Sequence, residues 1–334
     1  MDQLEATDPA DGRQRSLRFL LETRINAEGV VVLRQGKQVL DYRRTGFDPT
    51  QARLLLDASR PILATMLARA AGDGRISREK ALNRVISEFS PVRELSKVSV
   101  QRVFSGRSGL QWSRDDLERW EKEARGQSTG RSGIRAWLNK RGNWPRAQTR
   151  PAPDLQNPSA ELLLWLNEKA WQRRPPQLLC ELQQSIKARH PAYWTQDAKG
   201  NYVADGLGLS LEDFARFGQS LIDTRQRRAA RPLAPAWFME SISTPSDSLD
   251  IQPPELAGLK GKSTWQYYFT QPGDRGRQAA IIGSYGTSLY LDFDKNIVVA
   301  VFASNAAKHS ALLSAALDSL WQTSRKISVE NERR

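Results

Sequence analysis

Residues 288–303, Ser288-Leu-Tyr-Leu-Asp-Phe-Asp-Lys-Asn-Ile-Val-Val-Ala-Val-Phe-Ala303, read as two consecutive β-strands, Ser288–Phe293 and Asn296–Ala303. β-Branched and aromatic side chains dominate both arms. Upstream, Gln278–Ile282 and Trp265–Thr270 extend the same meander. At the other end of the chain, Gly29-Val-Val-Val-Leu-Arg-Gln-Gly36 and Lys37-Gln-Val-Leu-Asp-Tyr42 read as two strands joined by a tight glycine turn. Between these ends the apolar period becomes helical. Ile62–Ala71 runs into the stop Gly72-Asp-Gly74, and further helices are predicted over Leu162–Glu168, Gln177–Ile186 and Leu211–Ile222, the last behind a Ser210 cap. Leu17–Arg24 reads as the end of a short helix, residues 113–123 as an exposed charged helix, and Ser310–Ser324 as a closing amphipathic helix. Strands at both termini with helices between them predict an α+β fold, in which an antiparallel sheet from both chain ends is flanked by helices and carries an inserted, mainly helical region. The expected division is a polar N-terminal tail (1–16), a sheet region (17–75 with 235–325), a helical insertion (76–234) and a C-terminal tail (326–334).

Length and composition exclude several classes. The 334 residues suffice for one large domain or two modest ones. With 22 glycines and 17 prolines, collagen-like and low-complexity classes fall away. No apolar run approaches the roughly 20 residues of a spanning helix, and mean hydropathy is -0.57. The first sixteen residues have no apolar core, so no signal peptide is visible. The expectation is therefore cytoplasmic for the chain as given, or periplasmic if a leader has been removed. One cysteine and two histidines leave too few ligands for a Cys/His zinc site, and no metal or cofactor is expected. Cys180 reads as a core thiol, and His190 and His309 as lone histidines.

The net charge of +13 is unevenly spread. Residues 124–153 hold seven basic side chains (Arg125, Arg131, Arg135, Lys140, Arg141, Arg146 and Arg150) and no acid, more than half of the excess. This stretch reads mostly as a long loop, and a smaller basic cluster, Arg225-Gln-Arg-Arg228 with Arg231, follows later. It is either a solvated loop or, with Trp137 and Trp144 among the arginines, a stacking surface for an acidic partner. Nucleic acid is a less favoured partner because no known binding motif is present.

Several segments, in order, resemble the serine β-lactamase-like and penicillin-binding-protein-like hydrolases, on the branch of class C β-lactamases, esterases and 6-aminohexanoate-dimer hydrolases. They are Arg53-Leu-Leu-Leu-Asp-Ala-Ser-Arg60 with Gly72-Asp-Gly-Arg-Ile-Ser77, then Val98-Ser-Val-Gln-Arg-Val-Phe104 with Ser108-Gly-Leu110, and Ala192-Tyr-Trp-Thr-Gln-Asp-Ala-Lys-Gly200. Gly206-Leu-Gly-Leu209, Asp213-Phe-Ala-Arg-Phe-Gly218, and Gly283-Ser-Tyr-Gly286 with Leu289-Tyr-Leu-Asp292 complete the set. The resemblance covers about Gly29 to Trp321 and implies a β-lactamase/transpeptidase-like fold. It also implies acyl transfer to a serine activated by a lysine one helical turn on, aided by a tyrosine and an oxyanion hole.

The residues that should carry this chemistry are missing. The Ser-x-x-Lys register falls on Asp57-Ala-Ser-Arg60, and a guanidinium does not deprotonate to serve as a base. Shifting the register to Ser59 places Ile62 where lysine is required. The Tyr-x-Asn motif falls on Leu155-Gln-Asn157, and the C-terminal Lys-x-Gly motif on Ile281-Ile-Gly283. Asp57 with Arg60 reads as an ion pair in place of the dyad, or as a ligand-binding pair in a retained cleft with Asn157, Ser284 and Tyr285 as further contacts. The expected function is a pseudoenzyme that binds an acidic protein, a polyanion or a small anionic ligand, or that regulates an active paralogue. The alternative is a serine-independent amide or ester hydrolase with Asp57 as general base.

Overall fold

Burial is continuous along Ile297–Phe302, so this strand needs cover on both faces and a partner on both edges. In the computed structural model, which describes residues 3–90, 92–124, 127, 133–140, 144–145, 157–243, 263–265, 268–270, 277–307 and 310–327, it has both. With strands numbered in chain order, β12 (Ile297–Ala303) lies antiparallel between β3 (Ala27–Arg34) and β11 (Ser288–Asp292). Val299 stands opposite Val32 on one side and Tyr290 on the other. β4 (Lys37–Arg43) borders β3, while β10 (Gln278–Ile282), β9 (Tyr268–Thr270) and β8 (Ser263–Trp265) continue beyond β11. The result is a seven-stranded sheet, ordered β4-β3-β12-β11-β10-β9-β8, that joins the two chain ends as the α+β reading requires.

Among the described residues, helices of eight residues or more are α1 (Ser59–Gly72), α2 (Arg114–Ala124), α3 (Asn157–Trp171), α4 (Pro175–Ile186), α5 (Leu211–Arg225), α6 (Ala236–Ser243) and α7 (Ala311–Ser324). The period-two alternation of β3 assigns its valines to opposite faces. Val30 and Val32 pack with Leu317, Leu320 and Trp321 of α7, whereas Val31 joins the larger core containing Phe214, Phe217 and Leu221 of α5. α1 is buried from Ser59 through Ala70 and forms the centre of that core. Asn167 of α3 donates from Nδ2 to the Leu63 carbonyl at 3.0 Å, which ties the two helices together. The Ser210 cap forms as expected, its Oγ accepting from the Asp213 amide at 3.0 Å.

One expected strand needs correction, and two further elements add to the reading. Trp265–Thr270 is two strands folded as a hairpin, with Trp265 opposite Tyr268. Within the stretch expected as a polar N-terminal tail, residues 3–16 hold a strand pair. β1 (Glu5–Thr7) pairs with β2 (Gln14–Ser16), and the buried Asp8 between them accepts from Arg24 Nε at 2.9 Å and lies 2.9 Å from Arg15 Nε. The Arg24 hydrogen bond, foremost, holds the Asp8 carboxyl below its ordinary range. A second sheet, β5 (Arg53–Leu54), β7 (Tyr202–Leu209) and β6 (Tyr193–Gln196), was not anticipated. β5 has only two residues, and Gly206 and Gly208 weaken the strand pattern of β7. Those glycines admit close neighbours, since a Cβ on Gly208 would lie 2.5 Å from Tyr193 Cζ.

Gly218 sets the distance between α5 and the sheet. A Cβ there would meet Val298 Cγ1 at 2.7 Å and Leu291 Cδ2 at 3.0 Å. Alanine gains about 1 kcal/mol of helix propensity over glycine, but overpacking a filled core costs about 1–3 kcal/mol. Gly218→Ala is expected to lower stability by about 1 kcal/mol net, read by urea unfolding. A stabilised variant would mean that α5 can lift off the sheet freely.

Candidate functional site

The chain leaves β5 and turns sharply before α1. Leu56 adopts φ +51, a left-handed conformation that a branched L-residue takes only when its surroundings enforce it. The turn Leu56–Ala58 presents Asp57 half-buried at the N-terminal end of α1. From the far end of the sequence, β10 ends at Ile282, and Gly283 and Ser284 come against this turn. The Ser284 amide donates to Asp57 Oδ1 at 2.6 Å, and the Ser284 hydroxyl donates to Oδ2 at 3.0 Å. Only glycine fits at 283, because a Cβ would lie 2.9 Å from Ala58 Cβ and 3.2 Å from Asp57 Oδ1. The glycine retained in the third motif thus has a steric reason. Ile281, at the leading position of that motif, is buried in the core.

The expected Asp57–Arg60 ion pair does not form. Among the described residues, the carboxylate facing Arg60 is Asp205 of β7, which accepts from Nε at 3.0 Å and from Nη2 at 2.8 Å. The Arg60 side chain is 6% exposed and that of Asp205 27%. Arg60 is buried on α1, and its guanidinium takes the acid that β7 brings across it, while Asp57 at the turn takes the Ser284 donors. Ser59, the alternative nucleophile, is fully buried, and its Oγ has no partner among the described residues.

A third carboxyl lies close by. Glu161 of α3 is 2% exposed, and its Oε1 accepts from the Ala204 amide, next to Asp205, at 2.8 Å. Burial pushes this carboxyl up to about 8, opposed by the Ala204 hydrogen bond and the charge on Arg135. Glu161 is therefore protonated at neutral pH. Neither Asp205 nor Glu161 was among the sequence candidates. The signal was a lone acid inside an apolar run, Ala160-Glu-Leu-Leu-Leu164 and Val203-Ala-Asp-Gly-Leu207.

The remaining candidates scatter. Tyr285 is 40% exposed and lines a cleft of ≈ 280 Å³ with Leu54, Leu56 and Arg53, outside the Asp57–Ser284 contact. Ser284 itself is buried. Leu155 and the side chain of Asn157 lie outside the described residues, as do Arg125, Arg131, Arg141, Arg146, Arg150 and His309. Arg135 is not a free surface cation. It donates to Glu168 at 2.9 Å and lies over the Trp165 ring at 4.1 Å. Trp137 and Trp144 are buried rather than exposed for stacking, and Trp144 packs on Phe89 and Trp112. Lys140 is exposed. Cys180 is exposed, not in the core, and His190 is paired through Nε2 with Glu212 at 2.8 Å. A phenol does reach α1, since Tyr268 Oη lies 2.8 Å from Thr65 Oγ1, but burial raises its pKa and keeps it protonated.

No protein-family model matches the chain. A 6-aminohexanoate-dimer hydrolase of Paenarthrobacter ureafaciens is 21% identical over 280 residues, covering 79% of this chain and 69% of that protein. A provisionally named 6-aminohexanoate-dimer hydrolase structure from Bacillus anthracis superposes with a TM-score of 0.78 at 19% identity, over 97% of this chain and 84% of that one. The octameric penicillin-binding protein homologue of Pyrococcus abyssi gives 0.67 at 15% identity, over 95% and 79% of the two chains.

Substitutions at three positions test the site. Arg60→Met leaves Asp205 without its guanidinium and is expected to cost about 2–4 kcal/mol in urea unfolding, with Arg60→Met/Asp205→Ala costing less than the sum of the singles. Additive losses would dissolve the pair. For Glu161, the folded-state pKa exceeds the unfolded one, so the folded protein holds a proton that the unfolded chain releases between about pH 4.5 and 8. Stability is lost as pH rises through that window. Glu161→Gln removes the loss, and its Tm is expected to exceed the parent's by ~2 °C or more at pH 8.5 while nearly matching it at pH 4.5. Equal offsets at both pH values would refute a buried neutral carboxyl.

Proposed function

We propose that this chain, whose fold is that of the serine β-lactamase-like and penicillin-binding-protein-like proteins, has lost acyl-enzyme chemistry and acts by binding an anionic ligand or partner. Acyl transfer needs a nucleophile, a base and amide donors left open for the developing oxyanion. The observation that carries the reading is the 2.6 Å hydrogen bond from the Ser284 amide to Asp57 Oδ1. The Asp57 side chain occupies the donor at the place where the resemblance puts an attacking hydroxyl. Support also comes from Arg60, which cannot accept a proton and is committed to Asp205. The net charge of +13 favours anionic partners.

Intact-mass analysis after incubation with a fluorophosphonate and with a penicillin is expected to give no adduct. Assays with a chromogenic β-lactam and short-chain esters are expected to match the uncatalysed rate. A stoichiometric adduct would overturn the proposal. Ester turnover abolished by Asp57→Asn would overturn it in the other direction, in favour of general-base hydrolysis by that carboxylate.

A further inference from the structure

A cavity of ≈ 590 Å³ opens between the β3–β4 hairpin, the chain following α4, and α5 with the segment behind it. Asp57, Arg60, Asp205 and Ser284 are not among its lining residues. The volume falls in the range of about 300–1,000 Å³ usual for small-molecule sites. Its lining among the described residues contains five cations, Lys187, Arg189, Arg216, Arg228 and Arg231, against two acids, Glu212 and Asp223.

Both acids are engaged already. Asp223 lies 2.6 Å from Arg228 and accepts from Gln219 at 3.0 Å, and Glu212 is bonded to His190. Arg231 reaches Glu181 at 3.2 Å. Arg216 approaches the buried Asp213 only to 3.7 Å, and that carboxylate already accepts the Arg189 and His190 amides at 2.8 and 2.9 Å. Lys187 and Arg189 are exposed and have no ion pair among the described residues. Burial and the nearby charge of Arg189 both lower the pKa of Arg216, so the two guanidiniums crowd each other.

A solvated basic face is the simpler alternative, and the C-terminal dipole of α4 does account for cations directly behind that helix. It does not account for Arg216, which stands within α5, half-buried and facing the same cavity. Two adjacent guanidiniums in a concave site with neutral amide donors such as Gln184 and Gln219 suit a ligand that brings its own negative charge. We propose that this cavity binds a small polyvalent anion, a molecule carrying two or more phosphate or carboxylate groups. The assignment rests on the binding reading above but not on the loss of acylation.

Isothermal titration of the full chain with inorganic pyrophosphate, and separately with citrate, tests it at low ionic strength and distinguishes phosphate from carboxylate sources. Saturable one-to-one binding is expected for at least one probe. Arg189→Gln/Arg216→Gln is expected to weaken it about tenfold or more. Arg114→Gln/Lys140→Gln removes the same charge outside the cavity and is expected to leave affinity within about twofold. If the first pair fails to fold, the exposed Arg189→Gln alone carries the comparison. Absence of saturable binding, or equal weakening by both pairs, overturns the cavity assignment. Binding of long heparin chains without pyrophosphate or citrate binding would also overturn it, in favour of a macromolecular polyanion. A covalent adduct in the acylation assay would leave this titration untouched.

Discussion

Antiparallel pairing of Ala27–Arg34 with Ile297–Ala303 is the contact from which the rest of the molecule follows. It closes the chain on itself across almost its whole length, and the loop entropy of that closure has to be offset by the buried valines of both strands. Once it forms, β11 and β10 stack outward in register and deliver Gly283 and Ser284 to the turn that precedes α1. Two segments 227 residues apart then touch at hydrogen-bond distance. The approach is possible because residue 283 has no side chain. Gly218 plays the same part where α5 meets the sheet.

Three carboxyl groups near the end of α1 show three ways of accommodating an acid away from water. Asp57 accepts a backbone amide and a hydroxyl. Asp205 meets Arg60 in a two-pronged contact. Glu161, the most deeply buried, keeps its proton instead. Each outcome follows from desolvation set against the donors available. Arginine at position 60 suits this arrangement better than lysine would, since its planar fork matches both Asp205 oxygens at once.

Charge on the surface is arranged differently. Arg135, counted in the basic loop by sequence, is absorbed by Glu168 and Trp165. The smaller cluster after α5 contributes Arg228 and Arg231 to a concave surface with Arg189 and Arg216. Linear charge density along a chain is thus a poor guide to where potential accumulates, because folding pairs some cations and gathers others.

The sequence by itself determined what depends on local pattern. Strands at both ends, helices between them and the Ser210 cap were all legible, since period and capping chemistry are properties of neighbouring residues. Only the tertiary structure decided the partners. Arg60 pairs with an acid 145 positions away rather than with the one beside it. Trp137 and Trp144 turn inward although arginines surround them in the sequence, and Cys180 turns outward from an apolar segment. Which face of a helix is buried, and which acid meets which base, is settled by long-range contacts between elements, and those contacts leave no periodic trace in the chain.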